Sequence, residues 1–199
     1  QWIPRPTASS PGEPAPWAAR VTAATPPDMS AAAVVERLAA HEPDRALGPP
    51  FPDARPSAVL VALVHGDDGA EVLLNKRSQN LRNHRGEISF PGGRLDPGES
   101  PVDAAIREAW EEVRLPTDLV QVAAHLEPLS TVVSKSLIVP LVTTLPHKPE
   151  LVPHDAEVDR ILWVPLVELA RLDTFREERW GTPPLDRPMY FFDLDDETI

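Results

Sequence analysis

The stretch that decides the fold is residues 93–115, which read GRLDPGESPVDAAIREAWEEVRL. Its second half predicts a helix that extends to about Arg114 and is stopped by Pro116. Three residues suit the start of this helix as N-cap, first helical residue and acidic third residue: Ser100, Pro101 and Asp103. The apolar stripe expected to anchor the helix on a core comprises Ile106, Trp110 and Val113.

The same helix carries a dense set of glutamates. Residues three and four apart share a helix face, so Glu108, Glu111 and Glu112 are expected to lie close together. Arg107, four residues before Glu111, offsets only part of their mutual repulsion. Carboxylate oxygens are the ligands that hard divalent cations such as Mg²⁺ prefer. The pattern therefore indicates a metal site or, as the simpler alternative, a solvated acidic surface.

The residues before the helix favour a site. Gly92 and Gly93 let the backbone approach a ligand closely, and Glu99 adds a carboxylate just before the cap. With these residues, the stretch resembles the Nudix box, a motif of glycines, acids and an Arg-Glu pair at fixed spacing. The positions in register are Gly93, Glu99, Arg107, Glu108, Glu111, Glu112 and Leu115. Two positions depart from the box: Arg114 replaces its second glycine, and Ala109 is small for an apolar position.

The resemblance implies a metal-dependent hydrolase acting on a nucleoside diphosphate linked to another group. The implied ligands of Mg²⁺ or Mn²⁺ are Glu108, Glu111, Glu112 and the carbonyl of Gly92. Arg107 would orient a glutamate, and Glu108, Glu111 and Arg107 would form the catalytic set. Water activated by metal and a carboxylate base would attack a phosphorus atom. Glu157, outside the box, is the candidate base or a further ligand, with a plain loop glutamate as the alternative.

A basic segment precedes the box. Residues 73–93 read LLNKRSQNLRNHRGEISFPGG and contain the candidate substrate-binding residues Lys76, Arg77, Arg82, His84 and Arg85. Arginine side chains match the geometry of phosphate oxygens, and lysine and histidine can add positive charge. A basic loop without a binding role is the alternative. The order Leu-Leu-x-x-Arg-Ser, Leu-x-x-His-x-Gly-Glu and Phe-Pro-Gly-Gly resembles the coenzyme A pyrophosphatases of the Nudix family, which usually have Gln at the position of Glu87. The resemblance implies cleavage of coenzyme A to 4′-phosphopantetheine and 3′,5′-ADP, with extra cationic contacts to its 3′-phosphate.

Two alternative functions stay open. The first is hydrolysis of another Nudix substrate, such as ADP-ribose or a dinucleotide. The second is a Nudix fold that binds a nucleotide without catalysis, as a regulator. The complete set of glutamates disfavours the second alternative, because carboxylates without metal repel phosphate. Turnover of a nucleotide panel in the presence of metal distinguishes these possibilities.

The composition limits the partners. Asp and Glu number 31 against 19 Lys and Arg, for a net charge of -12. Such an acidic chain lacks the basic footprint of a nucleic-acid-binding protein and does not suit an anionic membrane surface. The absence of cysteine excludes disulfides, zinc–thiolate sites and a cysteine nucleophile. No apolar run approaches the roughly 20 residues of a membrane helix, and no signal peptide is recognisable, so a cytoplasmic enzyme is expected. The small nucleotide substrate is what the resemblance to the Nudix family implies.

The rest of the chain predicts an α/β protein. Strands are expected over residues 58–65, 71–76, 87–90, 119–126, 137–144, 160–164 and 189–194, and further helices over 30–41 and 166–175. The run at 58–65 is continuously apolar, as in a strand buried on both faces. This order predicts an α/β/α sandwich of the Nudix type with a mixed sheet, formed by one domain over residues 28–199.

Residues 1–27 are expected to form a Pro-rich N-terminal extension of that domain. Their prolines exclude a helix or an inner strand. Trp2, Ile3 and Trp17 are expected to anchor this arm on its own domain or on a neighbouring subunit, within a homodimer. The chain begins at Gln1 without Met and stops after a polar run, where a Nudix sandwich usually closes with a helix. We therefore expect that the start has been trimmed or that its first residues are unseen, and that a terminal helix is missing.

Overall fold

The computed structural model describes residues 6–23, 27–40, 53–81, 85–131 and 135–199. Its elements, in chain order, are β1 (Ser9–Pro11), α1 (Ala18–Val21), α2 (Ala31–Ala39), β2 (Arg55–Gly66), β3 (Gly69–Arg77), β4 (Ile88–Ser89), β5 (Gly92–Arg94), α3 (Pro101–Val113), a 3-10 turn (Thr117–Leu119), β6 (Val122–His125), β7 (Leu129–Thr131), β8 (Ser136–Thr144), β9 (Val158–Pro165), α4 (Leu166–Ala170), β10 (Phe175–Trp180) and β11 (Arg187–Phe192). In those described ranges, no helix is both long enough and apolar enough to cross a bilayer.

A mixed sheet of eight strands forms the centre of the fold. Its inner strand β2 runs parallel to β8, with Ser57 opposite Ile138, and antiparallel to β3, with Leu63 opposite Val72. β5 also pairs with β2, while β4 and β9 pair with β3, and β6 and β7 pair with β8. This order brings the end of β3 and the start of β9 together, because Arg77 lies opposite Val158.

Helices cover both faces of the sheet. α3 packs on one face, over a core that includes Leu60, Leu73 and Leu141. α2 and α4 pack on the other face, over Leu63 and Val72. The apolar run of β2 is therefore buried on both sides, as its composition indicates. The predicted α/β/α sandwich with a mixed sheet is confirmed.

The helix predicted from the cap at Ser100 to about Arg114 is present as α3, but its packed side differs from the prediction. Ser100 caps it, since the Ser100 hydroxyl accepts a hydrogen bond from the Asp103 N–H at 3.2 Å. The predicted apolar stripe is wrong at Trp110, which is 46 % exposed. The residues buried along the helix are Ala104, Ala105, Ala109, Glu112 and Val113. At about 100° per residue, the buried side is centred near the direction of Ala105 and Glu112, and Trp110 points about 140° away from it, toward solvent.

α3 ends in a left-handed residue. Arg114 has φ 56° and ψ 35°, and its N–H donates to the Trp110 carbonyl at 3.0 Å. The Leu115 N–H reaches back to the Ala109 carbonyl at 3.3 Å, which closes the helix end. Arg114 therefore ends the helix in the conformation that usually requires glycine, two residues before Pro116.

The N-terminal segment lies on the C-terminal part of the same chain. β1 is the edge of a three-stranded antiparallel sheet with β10 and β11, in which Ser9 lies opposite Trp180. Trp17 stacks on Phe192, with 6.0 Å between ring centroids, and its Nε1 donates to the Ala170 carbonyl at 2.9 Å. Trp17 thus anchors the segment on its own chain. The domain division at residue 27 and the homodimer stay predictions.

Two element predictions in these regions are wrong. Residues 1–27 do contain a helix, because α1 occupies a proline-free stretch after Pro16. The helix predicted over 166–175 ends at Ala170, and Phe175 begins β10. The Thr174 hydroxyl bonds to the carbonyl of Arg171, which stabilises the turn between the two elements. The other predicted anchors of the N-terminal arm, Trp2 and Ile3, lie outside the described residues.

The final residues turn back on β11. The N–H of Ile199 donates to the Phe192 carbonyl, and the N–H of Phe192 donates to the Ile199 carbonyl, each at 2.9 Å. Ile199 and Leu194 pack against the core on the α2 side of the sheet. The terminal helix expected after this point stays a prediction.

Candidate active site

Glu112 is the buried member of the glutamate cluster, at 2 % exposure. Its Oε2 accepts hydrogen bonds from Asn75 Nδ2 at 2.9 Å and from the Gly92 N–H at 3.1 Å. Its Oε1 accepts from Arg77 Nη1 at 3.4 Å. All three partners are donors, which suits an ionised carboxylate in a buried place.

Asn75 is a site residue that the motif does not include. It is fully buried, and its Oδ1 accepts a hydrogen bond from the Ser89 hydroxyl at 2.8 Å. That bond fixes the orientation of the amide, so Nδ2 points at Glu112. The sequence carried a signal for this residue, because an amide stands in an apolar strand on the same face as Leu73 and Arg77.

The surroundings of Glu112 shift its protonation. Burial raises the pKa of Glu112 to about 7, while the hydrogen bond from Gly92 and the charge of Arg77 act in the opposite direction. The nearby Glu108 carboxylate adds to the rise and the Asn75 amide opposes it. Glu112 therefore changes protonation near neutral pH unless a cation binds beside it.

Arg107 connects the other glutamates. Its Nε and Nη2 donate to the two carboxylate oxygens of Glu99 at 2.9 and 3.0 Å, a bidentate pair. Its Nη1 donates to Glu108 Oε1 and to Glu111 Oε2, both at 3.0 Å. Its Nη2 also donates to the Arg94 carbonyl at 3.0 Å, which ties the helix to β5. Arg107 thus holds Glu108 and Glu111 side by side.

An open cavity of about 690 Å³ lies beside the C-terminal half of α3. It is lined by Arg94, Glu108, Glu111, Arg114, His154 and Glu157. The loop before β9 reaches this cavity because the His154 N–H donates to the Glu112 carbonyl at 2.8 Å, near the end of α3. The candidate base Glu157 therefore shares a cavity with two glutamates of the box. Arg94, Arg114 and His154 are lining residues to which the motif assigns no role.

The acidic side chains of this cavity fit a hard divalent cation. Burial raises the pKa of Glu108, Arg107 opposes this effect, and Glu111 and Glu157 raise the pKa further. A bound cation would relieve the repulsion of Glu108 by Glu111 and Glu157. The ligand atoms that these three side chains offer are carboxylate oxygens, which Mg²⁺ and Mn²⁺ prefer. Within the described ranges, no three carboxylate or imidazole groups converge as a complete metal site. Glu108 and Glu111 are turned toward Arg107 instead.

The two glycines of β5 permit close contacts with the cluster. A Cβ on Gly92 would lie 2.3 Å from the Ala58 carbonyl oxygen, so the strand could not pack as it does. A Cβ on Gly93 would lie 2.3 Å from Glu108 Oε1. The glycines therefore let the backbone of β5 reach both glutamates. Metal ligation by the Gly92 carbonyl stays a prediction.

The basic segment is divided between the two faces of the sheet. Arg77 points toward α3 and contacts Glu112. Lys76 is the preceding residue of the strand and points to the opposite face, where its Nζ pairs with Glu197 at 2.6 Å. The structure thus separates Lys76 from the glutamate cluster, and its predicted contact with substrate receives no geometric support.

The other three predicted phosphate-binding residues belong to the loop after β3. Arg85 is exposed, and its Nε donates to the carbonyl of Leu81. Arg82 and His84 lie outside the described residues. Their contact with substrate, like that of Arg85, stays a prediction.

A family model described as the NUDIX domain matches residues 54–184. The chain belongs to the NUDIX family. The matched region begins just before β2 and contains β3, β5, α3 and the loop of Glu157, so all the side chains that line the cavity lie within the NUDIX domain.

Curated relatives carry the same family name. The chain is 37 % identical over 128 residues to "Nudix hydrolase 3" of Caenorhabditis elegans, which covers 61 % of this chain and 53 % of the relative. It is 42 % identical over 105 residues to "Uncharacterized Nudix hydrolase NudL" of Photorhabdus laumondii, covering 52 % of this chain and 56 % of the relative. The aligned part thus spans about half the length of these relatives.

A solved structure shares the NUDIX fold. The chain superposes on a crystal structure of a C. elegans Ap4A hydrolase binary complex with a TM-score of 0.51 and 24 % identity. The match covers 60 % of this chain and 85 % of that chain. At this identity the similarity shows the fold alone.

Proposed function

We propose that this NUDIX-family chain is a metal-dependent hydrolase that cleaves the diphosphate linkage of a small nucleotide derivative. The observation that carries the proposal is the cavity that Glu108, Glu111 and Glu157 share, next to the buried Glu112. A bound divalent cation would make this grouping of mutually repelling carboxylates favourable, because it reverses the sign of the local charge. When bound, the metal supplies an activated water and neutralises charge on the phosphoryl oxygens.

The residues of the chain take distinct roles in this proposal. Glu108, Glu111 and Glu112 hold Mg²⁺ or Mn²⁺, together with the Gly92 carbonyl. Arg107 positions Glu108 and Glu111 in the metal-free protein, since its Nη1 bonds to both. Glu157 comes from a loop rather than from α3, and we assign to it the acceptance of the proton from the attacking water.

We further propose coenzyme A as the favoured substrate, with ADP-ribose as the alternative. The support is the residue order of the basic segment and of the Phe-Pro-Gly-Gly turn that follows it. Arg77 contacts Glu112, Lys76 pairs with Glu197, and the Arg85 Nε donates to the Leu81 carbonyl. We therefore assign the 3′-phosphate contact to the two remaining basic residues, Arg82 and His84. These two residues stand between β3 and β5 in the sequence.

The decisive test is a turnover assay with Mg²⁺ or Mn²⁺ on coenzyme A, 3′-dephospho-coenzyme A, ADP-ribose and a nucleoside triphosphate. Wild type should hydrolyse at least one diphosphate-linked substrate. Glu108→Gln should lower kcat about a hundredfold or more, through lost metal binding. Arg187→Ala, which removes an exposed charge on β11, should leave turnover unchanged. Binding without hydrolysis in any metal would instead identify a nucleotide-binding regulator.

The substrate proposal has its own test. Coenzyme A should be preferred over 3′-dephospho-coenzyme A in kcat/KM, and Arg82→Ala should reduce that preference about ten- to a hundredfold. Arg77→Ala serves as the comparison, since it should lower kcat for both substrates by disturbing Glu112. Better hydrolysis of ADP-ribose than of coenzyme A would refute the assignment of coenzyme A as the substrate, while the proposed hydrolase activity would be supported.

A further inference from the structure

Arg114 combines a strained backbone with an unexpected side chain. The residue is left-handed, with φ 56°, a conformation that a side chain bearing a Cβ disfavours and glycine adopts freely. The box that this stretch resembles has glycine at this position. Arg114 adopts this uncommon backbone conformation although it is not glycine, which points to a function for its side chain.

The Arg114 guanidinium has no carboxylate partner among the described residues. Its Nη1 donates to the Trp110 carbonyl at 3.3 Å, and its Cζ lies 5.3 Å from the centre of the Trp110 ring. Arg107, on the same helix, pairs with Glu99, Glu108 and Glu111. The chain has a net charge of -12, and yet Arg114 lies on the exposed Trp110 indole without a carboxylate partner among the described residues. Its guanidinium is therefore available to bind an external anion.

Arg114 lines the same cavity as the glutamates. It follows Glu111 by three residues, which is about 4.5 Å along a helix axis. Arg94 and His154 also line this cavity, so its lining includes cationic or titratable groups as well as carboxylates. Divalent cations on the carboxylates would leave the cavity as a whole positively charged.

We propose that Arg114 is a substrate-binding residue that holds a phosphate group next to the metal-binding carboxylates. This inference rests on the proposed function, because it requires a substrate phosphate in this cavity. A guanidinium presents paired donors that match two oxygens of one phosphate, so it complements metal ions bound to the other oxygens. The phosphate is either part of the scissile diphosphate or a separate phosphate of the same nucleotide.

Arg114→Gly is the informative variant, because glycine removes the guanidinium and relaxes the backbone. Its Tm should equal or exceed that of wild type. Its KM should rise, and its kcat/KM should fall, about ten- to a hundredfold with kcat nearly unchanged. The KM and kcat/KM of Arg114→Lys should lie between those of wild type and Arg114→Gly, because lysine keeps the positive charge but lacks the paired N–H donors of the guanidinium. Arg187→Ala, an exposed arginine of β11, is the control and should match wild type.

A binding measurement separates this inference from the proposed function. Calorimetric titration of ADP and of 3′,5′-ADP in Mg²⁺ should show at least tenfold weaker binding to Arg114→Gly than to wild type, for one or both ligands. Loss for ADP alone assigns the diphosphate, and loss for 3′,5′-ADP alone assigns a separate phosphate. Equal affinities of both proteins for both ligands would overturn the inference. If wild type hydrolyses no substrate, the proposed function fails, and this titration still decides the role of Arg114.

Discussion

Replacing Glu112 with glutamine should remove a pH dependence of stability from the metal-free protein. Glu112 is buried, and burial raises its pKa from 4.5 to about 7. A carboxyl with a raised pKa in the folded state stabilises the fold below its unfolded pKa, and this contribution is lost as the pH rises through its folded pKa. Wild type should therefore lose stability between about pH 4.5 and pH 7, whereas glutamine does not titrate.

The size of the effect follows from these two pKa values. Between about pH 5.5 and pH 8, linkage gives a loss of about 2 kcal/mol from this one group. The glutamine amide would also place an N–H near the Arg77 guanidinium, which costs some stability. That cost is the same at both pH values, so it cancels when the pH slopes of the two proteins are compared.

The assay is unfolding by urea or heat in EDTA at the two pH values. Relative to wild type, Glu112→Gln should gain about 2 kcal/mol on going to the higher pH, equivalent to about 4–8 °C in Tm for a chain of this length. Glu111→Gln makes the same chemical change on a half-exposed side chain and should keep the wild-type slope. Adding Mg²⁺ at the higher pH should stabilise wild type more than Glu112→Gln, because the ion favours the charged carboxylate.

Two results would refute this reasoning. Equal pH slopes for wild type and Glu112→Gln would mean that Glu112 is ionised in the folded protein across the whole range. A loss of slope in Glu111→Gln would place the titrating group elsewhere in the cluster. Either outcome would remove the argument that burial, rather than Arg77, dominates the protonation of Glu112.

Three further predictions concern Gly93, Trp17 and Lys76. Gly93→Ala should weaken Mg²⁺ binding in a calorimetric titration, because its Cβ would lie 2.3 Å from Glu108 Oε1 and displace that carboxylate; an unchanged Kd contradicts it. Trp17→Ala should lower the free energy of unfolding by about 1–3 kcal/mol while kcat stays the same, since the half-buried indole packs on Phe175 and Phe192, which do not line the cavity; an unchanged free energy of unfolding contradicts it. Lys76→Ala should leave KM unchanged, since Lys76 pairs with Glu197 on the opposite face of the sheet; a tenfold rise in KM would assign it to the substrate.

The local parts of this protein followed from its sequence. The cap at Ser100, each end of α3 and the grouping of Glu108 and Glu111 each depend on residues within two helical turns of one another. Helix geometry makes such relations predictable, because residues three and four apart share a face. The buried strand β2 followed from its continuous apolar run in the same way.

The tertiary structure decided which face of α3 is buried. The three glutamates look alike in the sequence, but only packing of the helix against β2 and β5 places Glu112 inside, with Asn75 of β3 as its partner across 37 positions of the chain. The same packing turned Trp110 outward, against the prediction. A bulky indole is apolar enough to predict burial, and its direction is set by the close approach of Ala105 and Ala109 to the core.

The cavity is likewise a product of long-range contacts. Glu157 and His154 reach α3 because the loop before β9 hydrogen-bonds to the end of the helix, a contact that no local pattern encodes. The sequence determined which side chains have the chemistry to bind a cation or a phosphate. Only the tertiary structure decided that Arg114 shares a cavity with the glutamates, while Lys76 lies on the opposite face of the sheet. Alternate residues of a strand point to opposite faces, and packing decides which of these faces meets α3.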